Sequence, residues 1–200
     1  MNENERRFAD PGLIEIRKAD AKSDRVEGYA AVFNSTTNLG AFDERIAPGA
    51  FDDVLNDDVR VLFNHDFNYP LARSNNGQGT AKLWIDDKGL KYSFKPGSQS
   101  YARDLVEAIE RGDVTQSSFG FQIDNDSQKW EHRDGRDIRT ILKVKRLWDV
   151  SPVTVPAYTD TAVALRSKNN INKKETSKNE NDVSTVSVAR QRLQLLKNKK

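Results

Sequence analysis

Apolar and polar residues alternate through most of the chain, and a helical period governs one long stretch. Gly12 to Arg17 and Arg25 to Phe33 read as two strands joined by the polar loop KADAKSD, an opening hairpin. Asn34 to Phe42 reads as loop. Pro48-Gly49 then starts a short helix, in which Phe51, Val54 and Leu55 recur at helical spacing before Asn56-Asp57-Asp58 ends it. Val59 to His65 alternates again, with Val59, Val61, Phe63 and His65 on one face, although Leu62 makes the other face partly apolar. Pro70 and the Asn-rich segment Ser74 to Gly79 predict a loop after it. Thr80 to Asp86 and Leu90 to Lys95 bracket Asp86-Asp87-Lys88-Gly89, a hairpin signal with Trp84, Tyr92 and Phe94 for cross-strand packing.

The long helix runs from Ser100 to Arg111. Ala102, Leu105, Val106 and Ile109 form one stripe along it, and Gly112 stands as its stop. It delivers the chain into Thr115 to Ile123, TQSSFGFQI, where alternation puts Phe119, Phe121 and Ile123 on one face and Ser118, Gly120 and Gln122 on the other. Lys129 to His132 and Arg136 to Trp148 flank Asp134-Gly135, a second hairpin signal. In the strand that follows, Leu142, Val144, Trp148 and Val150 share a face, which leaves Leu147, Asp149 and Ser151 on the other. Ser167 to Asp182 holds one apolar residue and reads as a flexible linker; Val183 to Lys200 regains apolar spacing and reads as a short basic helix that folds against a partner.

Composition narrows the classes. Two hundred residues at 36% hydrophobic content suffice for one domain with a core and an appendage. No apolar run approaches a membrane span, and MNENERRFADPG lacks the apolar core of a signal peptide, so the expected compartment is the cytosol or an assembly within it. The absence of cysteine rules out disulfides, thiolate nucleophiles and cysteine-based metal sites. The net charge of +2 is uneven: nine Lys or Arg against three acids make residues 167–200 about +6, leaving the body about −4. Such a body does not look like a nucleic-acid surface. The tail reads either as solvated chain or as a binder of something acidic.

Chemistry rests on few residues. Ser118 sits on the polar face of an amphipathic strand, an ordinary place for a serine, and becomes a nucleophile only with a base to take its proton. The chain has two histidines. His65 ends a strand beside a long loop, where sites are commonly built, though a hydrogen-bonded structural histidine fits as well. His132 lies among Glu131, Arg133 and Asp134 at a polar turn and reads as solvated. Asp149 is embedded in RLWDVSPVTVPA, where a carboxylate is costly unless paired; a Lys or Arg on a neighbouring strand is the plain alternative to a catalytic partner. The two histidines lack HExxH spacing and give no zinc signal.

Taken in order, GYAAVFN, IAPGAF, the histidine of FNHD, PLAR, RGDVTQSSFGF and LWDVSPVTVPAY resemble the prohead maturation proteases of tailed bacteriophages, a family related in fold to the herpesvirus assemblins. The resemblance covers about residues 25 to 166. It implies a catalytic set of His65, Ser118 and Asp149, with the serine immediately before FGF. Members compared often have Gly-Met where this chain has Gln116-Ser117, so alignment alone leaves Ser117 as an alternative nucleophile; alternation favours Ser118. The acid is commonly Glu, and Asp149 is one methylene shorter. By analogy, Arg73 or a backbone amide near it is the oxyanion donor.

The fold implied is α+β and mainly β: a small antiparallel β-barrel flanked by helices, herpesvirus-protease-like, with a flexible basic C-terminal tail. Residues 1–166 would be the protease domain, 167–182 a linker and 183–200 a helix for recruitment to scaffold or capsid. The activity implied is that of a serine endopeptidase needing no cofactor or metal. It would cut scaffold and the arms of the major capsid protein, and also itself, inside the procapsid assembling in the host cytoplasm. Neither a membrane nor a specific nucleic acid is implied as partner, and a homodimer, as in the herpesvirus relatives, is left open. The opposing reading is a non-enzymatic scaffolding or capsid-interior protein. A hydrolase of unrelated type is disfavoured by the lack of GxSxG.

Overall fold

The computed structural model describes residues 5–8, 14–18 and 24–154. In chain order these form β1 (Glu5–Phe8), β2 (Ile14–Lys18), β3 (Asp24–Val32), β4 (Thr37–Asn38), β5 (Asp43–Ile46), β6 (Val59–Phe63), β7 (Asp66–Asn75), β8 (Gln78–Gly79), β9 (Ala81–Ile85) and β10 (Gly89–Phe94). The helix α1 (Ser100–Glu110) follows, then β11 (Gln116–Gln122), β12 (Gln128–Arg133), β13 (Arg136–Ile141) and β14 (Arg146–Val153). The expected mainly-β class holds, with one helix among the described residues. The predicted linker and terminal helix, 167–182 and 183–200, lie outside those residues.

The strands do not close into the single antiparallel barrel that the resemblance implies. They make three sheets, ordered β1-β11-β14-β6-β7-β8, β2-β3-β10-β9 and β12-β13-β5-β4. Two pairs, β14 with β6 and β13 with β5, are parallel. Parallel neighbours need long crossovers, and both partners here are far apart in the chain.

The first sheet positions the site. β11 lies between β1 and β14, with Phe8 opposite Ser118 on one side and Ser118 opposite Ser151 on the other. The strand β1 falls in a segment whose sequence shows no alternation, so it was not expected. Its pairing supplies backbone partners to an edge that β11 would otherwise leave open.

Aromatic residues hold the first two sheets together. Phe119 and Phe121 lie 4.9 Å apart between ring centroids, Phe51 meets Phe119 edge-on at 5.4 Å, and Tyr92 and Phe94 of β10 belong to the same core. Ser117 is on this face too, its Oγ 2.7 Å from the Tyr92 hydroxyl. β11 therefore carries Ser117, Phe119 and Phe121 toward the core and turns Ser118 and Gly120 the other way, as its alternation predicts.

Three local expectations are corrected. The segment after Pro48 is a run of turns, closed by bonds such as Val54 N to Phe51 O and Asp57 N to Val54 O, and not a helix. Gly49 has φ +85°, which breaks a helical start, yet Phe51 and Val54 are buried as the spacing asked. Asp66–Asn75 is a strand, not a loop: register shifts on β6 between Val61 and Phe63 accommodate Pro70, which has no N–H for a regular ladder. Finally, β14 is bulged. Gly120 pairs with Asp149 and Phe121 with Leu147, so Trp148 is the extra residue. That shift turns Leu147 into the core beside Val150, although simple alternation puts them on opposite faces.

The helix matches its prediction. Ala102 and Leu105 are buried, Val106 and Ile109 pack against the core, and Gly112, at φ +81°, ends the last turn with its N–H on the Ile109 carbonyl. None of the described helix is long and apolar enough to cross a membrane.

Candidate active site

Three neighbouring strands of one sheet, β11, β14 and β6, bring the three predicted residues together. Ser118 comes from the middle of β11, Asp149 from β14 directly across from Gly120, and His65 from the turn just past β6. That turn is unusual. Asn64 and His65 both have positive φ, 55° and 59°, a left-handed pair that Asn and His tolerate better than most side chains. His65 therefore does not continue the alternation of β6, as the sequence pattern implies.

Its placement depends on Asn64. The Asn64 N–H donates to the Pro152 carbonyl at 3.0 Å, and its side-chain oxygen accepts from the Thr154 N–H at 2.8 Å and the Thr154 hydroxyl at 3.2 Å. The turn is thus strapped to the end of β14. Backbone strain of this kind costs on the order of 1–3 kcal/mol per residue and persists only where the surroundings fix it.

So aimed, the imidazole bridges the other two residues. His65 Nε2 is 2.6 Å from Ser118 Oγ, and His65 Nδ1 is 2.5 Å from Asp149 Oδ2. Ser151, absent from the sequence-derived set, donates its hydroxyl to the same Oδ2 at 2.6 Å. Its two-residue offset from Asp149 on one strand face was the available signal. The shorter acid reaches the imidazole because two features let β14 come close. Gly120 has no Cβ where one would lie 2.4 Å from Asp149 Oδ1, and the Trp148 bulge sets the carboxylate over that gap.

The site is dry. Ser118 is 0% exposed, Asp149 3% and His65 6%. The sequence places Ser118 on a polar, solvated face; in the fold that face is covered and β11 is buried on both sides. A carboxylate so enclosed is tolerable because it accepts two hydrogen bonds, from His65 and Ser151, and not from the Lys or Arg of the plain alternative.

The other candidates go elsewhere. Ser117 is bound to Tyr92 in the core, where burial pushes the tyrosine hydroxyl's pKa well up. His132 is exposed on the β12–β13 hairpin, 3.1 Å from Asp137. Arg73 is half exposed and holds Asp58 with two bonds, Nε to Oδ1 at 2.6 Å and Nη2 to Oδ2 at 2.9 Å. The Arg73 hydrogen bond in turn lowers the Asp58 pKa. Its own amide donates to Thr80 Oγ1. These bonds engage the Nε and Nη2 donors and the backbone amide of Arg73.

A serine hydroxyl, an imidazole and a buried carboxylate in one hydrogen-bonded line define the constellation of a serine hydrolase. Comparison with known proteins makes the class specific. Residues 13–176 match the caudovirus prohead serine protease family, and the chain belongs to that family. It is a serine protease. The match extends ten residues past the predicted boundary at 166. The structure of the bacteriophage T4 capsid assembly protease is similar at 14% identity and a TM-score of 0.45, over 76% of this chain and 98% of the T4 chain, a likeness too distant to carry any residue's role. No protein of curated function matches the chain.

Proposed function

We propose that Ser118 is the nucleophile, His65 the general base and Asp149 the orienting acid of a head-maturation endopeptidase. The supporting observation is the line from Ser118 Oγ through both imidazole nitrogens to Asp149 Oδ2. Asp149 accepts the Nδ1–H, which selects the tautomer whose Nε2 lone pair faces the serine. As Oγ bonds to the scissile carbonyl carbon, its proton passes to Nε2. The tetrahedral intermediate collapses when Nε2–H protonates the departing amine, leaving an acyl-serine. Water, deprotonated by the same nitrogen, then attacks the ester and restores Ser118. General-base assistance is worth about 10²–10⁴-fold in such steps.

The substrates inferred are scaffold and the arms of the capsid protein, cut inside the procapsid. The chain's own segment between Arg166 and Lys200 is the first expected site of self-cleavage, on the ground of its polar composition. The same segment is inferred to recruit the protease to scaffold or shell. Its deletion should leave peptide cleavage intact and reduce incorporation into procapsids.

The test is co-expression with the capsid protein, together with labelling of the purified chain by a small fluorophosphonate. Wild type should label at Ser118 and process the capsid protein, while Ser118→Ala should do neither and still fold. Labelling at Ser117, or capsid processing by Ser118→Ala, would overturn the assignment. Capsid assembly that needs the chain but never its serine would favour the scaffolding reading.

A further inference from the structure

The residues on either side of His65, Asn64 and Asp66, also line a pocket of about 480 Å³ walled by Phe63, Tyr69, Tyr101 and Asp104. Phe63, Asn64, Asp66 and Tyr69 come from the β6–β7 segment that carries His65, and Ser100, Tyr101 and Asp104 from the start of α1. The volume lies within the range of small-ligand sites, roughly 300–1,000 Å³, and well accommodates one long side chain.

The aromatic wall is preorganised. Tyr69 and Tyr101 meet edge to face with centroids 5.3 Å apart, and the Tyr101 hydroxyl donates to the Pro70 carbonyl at 2.8 Å. The acids differ in their commitments. Asp66 Oδ1 accepts from the Asn68 N–H at 2.8 Å and from its side-chain amide at 2.9 Å, both neutral donors, so its charge is not cancelled. Asp104 is exposed, and its carboxylate has no hydrogen bond or ion pair among the described residues.

Charge decides what the pocket prefers. Ser100 also lines it, so the α1 N-terminus faces it with about +0.5 of an elementary charge, against a charge of −2 from the two carboxylates. Tyrosine and phenylalanine faces add attraction for a cation and none for an anion. A long aliphatic stem ending in a positive group therefore satisfies the aromatic wall and the acids together, and lysine and arginine are the peptide side chains of that form.

We propose that this pocket is a substrate subsite that takes a lysine or arginine close to the scissile bond. The inference rests on the His65–Ser118 reading, because the chain neighbours of His65, Asn64 and Asp66, line the pocket and so set its occupant beside the residue read as the base. The chain's own residues 167–200, with nine Lys or Arg, carry the complementary charge.

The experiment uses the full-length protein and peptides that differ only at single positions flanking the cut, with lysine, arginine, norleucine or glutamate. At one position, kcat/KM should favour lysine or arginine over norleucine. Asp104→Asn and Asp66→Asn should each reduce that ratio about fivefold, as expected for partly exposed charge pairs. Moderate salt should reduce it as well. Because Asp66 stabilises its turn, a second test carries the argument independently: Asp104→Lys on the exposed helix face should reverse the order of the lysine and glutamate peptides. Equal rates for lysine and norleucine peptides at every position, with Ser118 still labelled by the fluorophosphonate, would overturn the subsite and leave the triad standing. No cleavage and no labelling at Ser118 would overturn the triad, and the subsite with it.

Discussion

Replacing Gly120 by alanine isolates the geometry that brings Asp149 against His65. In an ordinary strand this change is expected to stabilise by about 0.5–1 kcal/mol, because alanine has less unfolded-state freedom to lose. Here the new Cβ would lie 2.4 Å from Asp149 Oδ1, below the 3.0 Å that real contacts respect, so the carboxylate must retreat by at least 0.6 Å. It cannot do so freely, since its other oxygen is held at 2.5 Å by His65 and 2.6 Å by Ser151. Either those bonds lengthen or β11 and β14 separate. A hydrogen bond to a charged group contributes about 1.5–3 kcal/mol, which at 1.36 kcal/mol per decade is a loss of about 10- to 150-fold in kcat/KM. Overpacking should lower stability by about 1–3 kcal/mol despite the intrinsic gain. A fluorogenic peptide assay and a denaturant melt read the two quantities separately. In a double-mutant cycle, Gly120→Ala should add little to Asp149→Asn, because both act through one contact. Wild-type activity in a folded Gly120→Ala protein would refute the claim that this close approach positions the acid.

Ser151→Ala should cost less than Asp149→Asn, on the order of 3- to 10-fold in kcat at unchanged KM, since it removes one of two bonds that hold the carboxylate; kinetics over pH and substrate concentration check it. Ser117→Ala should keep most activity but lower stability by about 1–3 kcal/mol, because it leaves the buried Tyr92 hydroxyl without its partner, and adding Tyr92→Phe should recover part of the loss in urea melts. His132→Ala should leave peptide cleavage at the wild-type rate, as the residue is exposed on a separate sheet. The Asp58 pKa lies below its ordinary 3.8, chiefly through the Arg73 hydrogen bond, so the pair's stabilisation is present above that value and is lost as pH falls through the lower folded one. The stability gap between wild type and Asp58→Asn should accordingly close in acid melts below about pH 4, and a gap that widened there would refute the sign.

Much of this protein is written locally in its sequence. The period of β11 alone separates Ser118 from Ser117 and from the phenylalanines, because side chains on a strand alternate whatever the strand packs against. The α1 stripe and the Gly112 stop, likewise, follow from spacing and backbone freedom within a few residues. The grouping of His65, Ser118 and Asp149 was legible only through resemblance, since residues 53 and 84 positions apart meet through strand order, which no local pattern encodes.

Tertiary structure decided the rest. Alternation predicts a solvated Ser118, but which strand face is covered depends on what the whole chain lays over it. It continues β6 through His65, but the left-handed turn exists because Asn64 is bound by Pro152 and Thr154, far along the chain. It separates Leu147 from Val150, but β14 bulges at Trp148 to match β11. Each of these departures lies where two distant segments must fit one another, and there pairing and packing outweigh the preference of either segment alone.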